Sequence, residues 1–294
     1  MPASSSAPPS DADLWVITAD TRRGFGAGLR EIWRYRRILA FFSIKSVQSL
    51  YAKTRLGMPW IFIRTLFPLL VGSLVFGRFM DVPSGGVPYF IFFVTGQLAW
   101  NCFDGPLIRG SRGIDVNREL LRKLYIPRII LPMGQMTAGL VEPVIITLVL
   151  IGSVVYYHAV DGVWYVRPGS GMFRSALSAG LILWFAFSLS LFTSVWQARA
   201  RDVRFVLRHV MGFWLLFTPV IWPLSMAQAR WPEIAWLFYL NPLTAPVEMF
   251  KSGILPGATA SVPWLGYSAA VTLVLFVTGV WHFSRTESAT MDTL

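Results

Sequence analysis

The stretch NRELLRKLYIPRIILP, residues 117–132, places a short basic segment directly before a long apolar run, and apolar segments of membrane length lie on both sides of it. Its first half predicts an amphipathic helix with a ridge of leucines and a ring of basic side chains, which are Leu120, Leu121, Leu124, Arg118, Arg122 and Lys123. Pro127 disfavours helical geometry at the preceding residue, so the predicted helix ends before it. A helix of this kind either docks into a groove on a soluble partner or holds a surface loop in place.

The composition of the chain is that of a membrane protein. Of its 294 residues, 54% are hydrophobic and 14% are charged, whereas a soluble domain of this length carries about 25% charged residues. The net charge of +11 is distributed as membrane orientation requires, so we expect no nucleic-acid partner. One cysteine, Cys102, excludes an internal disulfide, and the three scattered histidines give no ligand spacing, so we expect no metal site.

Apolar windows of membrane length predict an all-α integral membrane protein with six transmembrane helices. The predicted spans are residues 59–79, 88–108, 131–157, 174–197, 207–226 and 264–283. A further apolar region, 231–256, contains four prolines, each of which removes a backbone donor. We expect this region to form a re-entrant or interfacial pair of short helices that never crosses the membrane.

Flanking segments complete the predicted organisation. Residues 1–20 are rich in Ser, Ala and Pro and are expected to form a disordered tail, and residues 21–58 are expected to form an amphipathic interfacial helix. The six-helix transmembrane domain then covers 59–285, and residues 286–294 form a second tail. The interfacial helix carries a basic stripe of Arg30, Arg34, Arg37 and Lys45. This stripe favours either an orientation anchor on anionic lipid or a collar beside a transport path.

The distribution of Arg and Lys sets the direction of the spans through the positive-inside rule. Twenty of these residues lie before span one, between spans two and three, between spans four and five, or after span six, and five lie on the opposite side. This bias predicts that both termini are cytoplasmic and that segment 231–256 faces outward.

A second short connection, QARARDVRFVLRHV, residues 197–210, is predicted on the same cytoplasmic side. Its charged residues Arg199, Arg201, Asp202 and Arg204 are typical either of a partner contact or of simple positive-inside charge. The sequence contains no G-x-x-x-x-G-K-[ST] motif, so we expect the phosphate-binding loop of any ATPase to lie on another protein.

Three further motifs follow one another along the chain. ARDVRF begins span five, FTPVIWPLS lies within it, and NPLTAPVEMFKSGI lies between spans five and six. They resemble the R-D, P-V/I-x-[YW]-P and N-P-[LF] signatures of the permease subunit of ABC polysaccharide exporters, the group that exports O-antigen, teichoic acid and galactan. The Arg-rich helix, the six spans and the basic helix between spans two and three also match, so the resemblance covers residues 25–285.

This resemblance implies a transport permease of the bacterial plasma membrane rather than an enzyme. Such a permease is a homodimer bound to two copies of an ATPase subunit, which holds ATP and Mg²⁺, and this chain itself needs no cofactor. The implied substrate is a polyprenyl-pyrophosphate-linked polysaccharide. The Ser/Ala/Pro-rich tail and the low lysine count are typical of a chain from a GC-rich actinobacterium, which favours galactan. The implied ATPase-coupling residues are Arg118, Glu119, Leu120, Leu121, Arg122, Lys123, Leu124 and Tyr125. The implied outer gate residues are Asn241, Pro242, Pro246 and Glu248.

Three charged residues fall inside predicted spans. Arg64 lies roughly 8 Å from the cytoplasmic surface at the helical rise per residue. Asp104 lies roughly 6 Å from the same surface, so we expect these two to pair. Glu142, roughly 15 Å deep, is the alternative partner. A second hypothesis places these groups at the cytoplasmic mouth of a transport path, where Arg64 holds a lipid pyrophosphate.

Aromatic and small polar residues are predicted to line the substrate channel, because the C–H faces of a sugar stack on rings while its hydroxyls need polar partners. The candidates in spans one, two and five are Trp60, Phe62, Gln97, Trp100, Asn101, Phe103, Thr218, Trp222 and Ser225. Interfacial anchoring explains at least half of such aromatic residues equally well.

Two other functions stay open at this point. A drug or lipid exporter permease of the same superfamily would share this layout. An intramembrane polyprenol glycosyltransferase or acyltransferase would need a catalytic carboxylate or histidine at the membrane surface. The candidates Asp104, Glu142 and His158 are dispersed along the chain and lie at different predicted depths.

Overall fold

The computed structural model describes residues 33–50, 52, 58–119, 129–166, 169–257 and 261–289, and every regular element within these ranges is helical. The helices are α1 Arg36–Gln48, α2 Met58–Ser73, α3 Tyr89–Gly110, α4 Gly113–Val116, α5 Ile130–Gly139, α6 Val141–Asp161, α7 Ser170–Arg199, α8 Val203–Phe217, α9 Leu224–Arg230, α10 Thr244–Ile254 and α11 Val262–Ala289. A π-helical turn, Leu74–Phe79, continues α2, and a 3-10 helix, Ala235–Leu240, precedes α10. The tail predicted at residues 1–20 lies outside the described residues.

Four stretches of helix are long and apolar enough to cross a membrane, which confirms an all-helical, multi-pass chain. They are Pro59–Phe79, Ile130–Asp161, Ser170–Arg199 and Val262–Arg285. They coincide with the first, third, fourth and sixth predicted spans.

The second predicted span, 88–108, corresponds to α3, a continuous helix of 22 residues that is not among the four apolar stretches. It lies at the centre of the helical bundle, where it contacts α2, α5, α6, α7 and α10. Most of the surface of α3 contacts other helices. It therefore need not be apolar all round, and it carries polar and charged residues such as Asn101, Asp104 and Arg109.

The fifth predicted span is interrupted, so the prediction of one helix over 207–226 is wrong in its bounds. Helix α8 ends at Phe217, Thr218 is extended, and α9 begins only at Leu224. Pro219 and Pro223 cause this interruption, because neither has a backbone N–H for a helical hydrogen bond. Residues 218–223 are called the break below.

The interfacial helix is described from Trp33 onward and is helical over α1. Phe42 on α1 is buried against Ile130 and Leu131 of α5, so α1 is attached to the bundle and not only to lipid. Arg34, Arg37 and Lys45 of the predicted basic stripe are exposed. The predicted helix is present over Arg36–Gln48, and its position at the membrane interface stays a prediction.

The apolar helices differ in the share of their residues that the rest of the chain buries. The apolar windows of α5–α6 and of α7 are both 44% buried, whereas those of α2 and α11 are 11% and 17% buried. Exposed apolar helices of this length need lipid or a second protein around them.

Candidate functional site

The break between α8 and α9 lies at one end of the bundle, where α8 leaves backbone carbonyl groups without helical partners. The same end contains the start of α3, since the Tyr89 hydroxyl donates to the carbonyl of Ile221 at 2.7 Å. We call this end the break end. Buried carbonyl groups need donors, and the side chains that donate to the break determine what holds it in place.

Lys251 on α10 is the principal donor. Its side chain is 1% exposed, and Nζ donates to the carbonyl oxygen of Pro219 at 2.7 Å and forms an ion pair with Glu248 Oε1 at 2.6 Å. The ammonium group also lies 4.6 Å from the ring centroid of Phe92 on α3. A buried charge is tolerated only with such partners, so Lys251 ties α10, α3 and the break together.

Asn241 supplies the second set of contacts. Its Nδ2 donates to Thr218 Oγ1 at 2.9 Å, and its Oδ1 accepts hydrogen bonds from Trp214 Nε1 at 2.9 Å and from the backbone N–H of Leu243 at 3.1 Å. The motifs FTPVIWPLS and NPLTAPVEMFKSGI, which were separate signals in the sequence, therefore form one hydrogen-bonded unit.

Helix α3 approaches the break closely because residue 96 is glycine. A Cβ atom at Gly96 would lie 2.4 Å from the carbonyl oxygen of Val220, which is closer than real Cβ atoms approach. The backbone of the break rests directly on α3, and a side chain at this position would push it away.

Helix α10 is held equally firmly against α7. Ser175 Oγ donates to the carbonyl of Phe250 at 2.8 Å, and Ser178 Oγ donates to the carbonyl of Pro246. Of the predicted gate residues, Glu248 and Pro246 are buried in this contact, and Asn241 and Pro242 are partly buried. The predicted pair of short helices is present as the 3-10 helix and α10, while its re-entrant path through a membrane stays a prediction.

The predicted channel residues do not form one surface. Phe103 is fully buried, with ring centroids 5.5 Å from Phe185 and 5.3 Å from Trp214. Trp100, at 5.5 Å from Phe103, is also buried. These two rings form part of the core of the chain, and their role in lining a channel stays a prediction.

The remaining channel candidates divide by exposure. Thr218 is buried in the break, and Asn101 Nδ2 donates to the Gln97 carbonyl one turn earlier on α3. Trp222 is partly buried, and its indole N–H donates to the Leu216 carbonyl. The exposed candidates are Trp60, Phe62 and Ser225.

Arg64 pairs with Glu142, and the prediction that it pairs with Asp104 is wrong. Helix α6 begins at Val141, so Glu142 lies in its first turn, where a helix favours negative charge. The ion pair places Glu142 level with Arg64. The Arg64 side chain remains 47% exposed.

The two basic connections meet at the end of the bundle opposite the break. Arg118 lies 3.2 Å from Asp115 and also donates to the carbonyl of Ala198 at the end of α7. Ser111 Oγ donates to Gln197 Oε1 at 3.2 Å. A cavity of about 190 Å³ between the two connections is lined by Asp115, Gln197, Arg201 and Arg204. We call these residues, together with Ser111, Arg118 and Ala198, the basic patch.

The structure thus describes only some of the predicted ATPase-coupling and second-contact residues. Arg118 belongs to the basic patch, Glu119 is exposed, and Arg199 and Asp202 are exposed beside it. The other coupling residues lie outside the described residues; they are Leu120, Leu121, Arg122, Lys123, Leu124 and Tyr125. The described ranges contain no group of three His, Cys, Asp or Glu residues that could hold a metal ion.

Several residues of these sites carry no prediction from the sequence. Lys251 is one of the five basic residues on the predicted outer side and yet is buried; the signal that could have identified it is a lysine within an apolar helical segment. Gly96, Tyr89 and Gln197 gave no local signal, since each acts through a contact that is distant in sequence.

Comparison with known proteins matches residues 39–255 to the family model of ABC-2 type transporters. The chain is 25% identical over 264 residues to the O-antigen export system permease protein RfbA of Myxococcus xanthus, an alignment that covers 89% of this chain and 97% of that protein. It is 22% identical over 251 residues to the polysialic acid transport protein KpsM of Escherichia coli, covering 84% and 92% of the two chains. The family match spans the break, α10 and the basic patch.

Proposed function

This chain belongs to the ABC-2 type transporter family, and from that membership we propose that it is the membrane subunit of an ATP-driven exporter of lipid-linked polysaccharide. The polysaccharide would move from the cytoplasm across the plasma membrane while attached to a polyprenyl pyrophosphate.

The near full-length match to two polysaccharide-transport relatives carries this proposal, because it covers 97% and 92% of those proteins. Their printed substrates differ, since one is named for O-antigen and the other for polysialic acid. The comparison therefore supports the polysaccharide class. Within it we propose galactan or a similar cell-envelope glycan, on the composition of the chain alone.

The proposed energy source is a separate ATPase that binds the basic patch in two copies per exporter. Support comes from the hydrogen bonds that join the two basic connections, Ser111 to Gln197 and Arg118 to the Ala198 carbonyl. A displacement of residues 113–119 by the ATPase would be transmitted directly to the end of α7 and the start of α8.

The proposed exporter contains two copies of this chain. Helix α8 has 15 residues, too few to cross the hydrocarbon core, and non-helical backbone follows it. Lipid does not tolerate exposed irregular backbone at membrane depth, so the side of α8 and of the break that α3 and α10 leave uncovered needs protein. Large apolar side chains are exposed there, among them Phe213 and Phe217 at 67% and 64%. A second copy would supply the cover.

We place both termini and the basic patch in the cytoplasm, with the break end outside. The positive-inside bias of twenty against five supports this orientation. The six crossings would then be α2, α3, α5–α6, α7, the interrupted α8–α9 region and α11, with the 3-10 helix and α10 as outer gate helices.

Depletion of the chain in its native host tests the function directly. We expect lipid-linked polysaccharide to accumulate on the cytoplasmic leaflet and to disappear from the cell surface, and restored export on complementation. Co-purification of an ATPase whose activity requires this chain is the second expected result. Polysaccharide export that continues unchanged after depletion would refute the proposal, as would glycosyltransferase or acyltransferase activity of the purified chain alone.

A further inference from the structure

A groove of about 710 Å³ lies between the end of α2, the start of α3 and the last turns of α6. It opens along the side of the bundle at the break end, and neither the predicted channel nor the basic patch includes it. Its volume falls within the range of about 300–1,000 Å³ that is typical of small-molecule sites. The groove is therefore large enough to hold part of a ligand.

The π-helical turn Leu74–Phe79 forms one wall of the groove. A Cβ atom at Gly77 in this turn would lie 2.5 Å from the ring of Tyr89, so glycine lets that ring lie flat against the turn. The Tyr89 hydroxyl is already bonded to the Ile221 carbonyl, and Tyr89 thus contributes only its ring face. Turns of this type occur frequently at functional sites.

The remaining wall separates into apolar and polar parts. Leu70 and Val149 line it along the length of the helices, and both belong to stretches that are apolar enough to span a membrane. Arg78, Tyr156 and Tyr157 line it towards the helix ends. The apolar part of the groove matches the hydrocarbon chain of a lipid, and the polar groups at its mouth match the headgroup.

Arg78 is the cation of the groove and is exposed. It forms no hydrogen bond or ion pair with any residue in the described ranges, and the same ranges contain no hydrogen-bond partner for the hydroxyls of Tyr156 and Tyr157. Arg78 lies one residue before the end of the apolar stretch Pro59–Phe79, which is the level of the membrane–water interface. Among the described residues, these three polar groups at headgroup level thus have no hydrogen-bond partner.

We propose that this groove binds a phosphate-bearing lipid. The phosphate lies against the Arg78 guanidinium, which forms paired hydrogen bonds with phosphate oxygens, and one hydrocarbon chain lies along Leu70 and Val149. The tyrosine hydroxyls donate to the remaining phosphate oxygens. The site does not depend on which polysaccharide is exported.

Two sources could supply this chemistry: an anionic membrane phospholipid, or the polyprenyl lipid that carries the glycan through a pyrophosphate. Both bring a phosphate at the interface and a hydrocarbon chain, so the groove geometry is the same for each. Their headgroups and chains differ, which lets competition between them identify the source.

Lipid retention by the purified full-length chain tests the proposal. In native mass spectrometry we expect dioleoylphosphatidylglycerol to stay bound and phosphate-free dioleoylglycerol to be lost. Arg78→Gln should lower retention of the phospholipid at least about tenfold, the factor that corresponds to the loss of one charge-assisted hydrogen bond. Arg174→Gln is the matched control, because Arg174 is an exposed arginine near the same end but outside the groove.

A second pair of variants tests the groove itself. Ser153→Trp places an indole in the groove and should displace the lipid, whereas Leu148→Trp changes the exposed face of α6 outside it and should not. Equal retention by Arg78→Gln and Arg174→Gln, together with full retention by Ser153→Trp, would overturn the proposal.

Competition with undecaprenyl monophosphate then distinguishes the source. Preferential displacement of the phospholipid by the polyprenyl compound, lost in Arg78→Gln, assigns the site to the substrate carrier, and equal competition assigns it to bulk phospholipid. The assay uses neither ATP nor polysaccharide, so its result is independent of whether the chain proves to be a polysaccharide exporter.

Discussion

At the scale of single residues, substitution of Lys251 is expected to lower the free energy of unfolding more than any other change discussed below. Lys251→Met leaves Glu248 charged and buried and removes the donor from the Pro219 carbonyl. Breaking a buried ion pair from one side costs about 3–5 kcal/mol. We therefore expect a marked fall in the thermal unfolding midpoint of the purified protein.

The double variant Glu248→Gln/Lys251→Met separates the ion pair from general packing. It removes both charges and should recover part of the lost stability, because no unpaired charge remains buried. Arg230→Gln, an exposed change near the same end, serves as the control. An unfolding midpoint for Lys251→Met equal to that of the control would contradict this account of the break.

A second prediction at this scale concerns Arg64. Glu142→Gln removes its observed partner, whereas Asp104→Asn leaves the pair intact. Glu142→Gln should thus reduce folded protein in the membrane more than Asp104→Asn does. The upper bound is about 2.5–3.5 kcal/mol, the cost of an unpaired arginine at the bilayer centre, since this pair lies nearer the surface.

Charge reversal supplies the further check on this pair. Arg64→Glu/Glu142→Arg should restore the yield lost in either single reversal, measured as folded protein after detergent extraction. A stronger effect of Asp104→Asn than of Glu142→Gln would show that the arginine changes partner in the membrane.

At the scale of helices, replacing glycine by alanine is expected to change protein stability in opposite directions at two positions. Gly96→Ala places a Cβ atom against the Val220 carbonyl and should destabilise the protein by about 1–3 kcal/mol through overpacking. Gly180 on α7 has open space around its Cβ position, so Gly180→Ala should stabilise by about 0.5–1 kcal/mol through helix propensity. Chemical or thermal unfolding of the two variants side by side measures both, and equal signs would refute the close approach at Gly96.

The basic patch gives a prediction about coupling. Arg118→Gln loses the charge-assisted hydrogen bond to the Ala198 carbonyl and should lower stimulation of the partner ATPase about tenfold. The two proteins should still co-purify, because the change separates the two connections without removing either surface. Arg112→Gln is the control, since Arg112 is exposed outside the basic patch. Loss of co-purification, or equal effects in both variants, would argue against transmission through this bond.

Helix boundaries explain why the sequence predicted only part of this arrangement. Four apolar stretches are long enough for hydropathy to identify them directly. The break was not predicted because the mean hydropathy of residues 207–226 shows only that the segment is apolar. It does not show whether Pro219 and Pro223 interrupt the helix. The partner of Arg64 was wrong because a division at Leu140 places Glu142 in the first turn of a new helix. Contacts such as Asn241 with Thr218 depend on packing between helices, which periodicity does not report.

At the scale of the whole molecule, the incomplete cover of α8 predicts the contact between two copies. In a Cys102→Ser background, Phe213→Cys on α8 should form a disulfide-linked dimer under mild oxidation. Val274→Cys on α11 is exposed to a similar degree, and we expect it to face lipid and remain monomeric. Non-reducing electrophoresis after cross-linking in membranes measures both. Equal cross-linking at the two positions would remove α8 from the interface.

The Lys251 contacts also constrain how the chain is made. The groups that contact the Lys251 ammonium or bond the α10 carbonyls from outside this helix, namely Phe92, Ser175, Ser178 and Pro219, precede α10 in the sequence and so leave the ribosome earlier. A buried lysine makes this segment a poor substrate for independent partitioning into the bilayer by the insertion machinery. We therefore expect α10 to pack after the helices that precede it have inserted into the membrane. Truncation after residue 230 should then leave an inserted bundle that lacks α10 and α11.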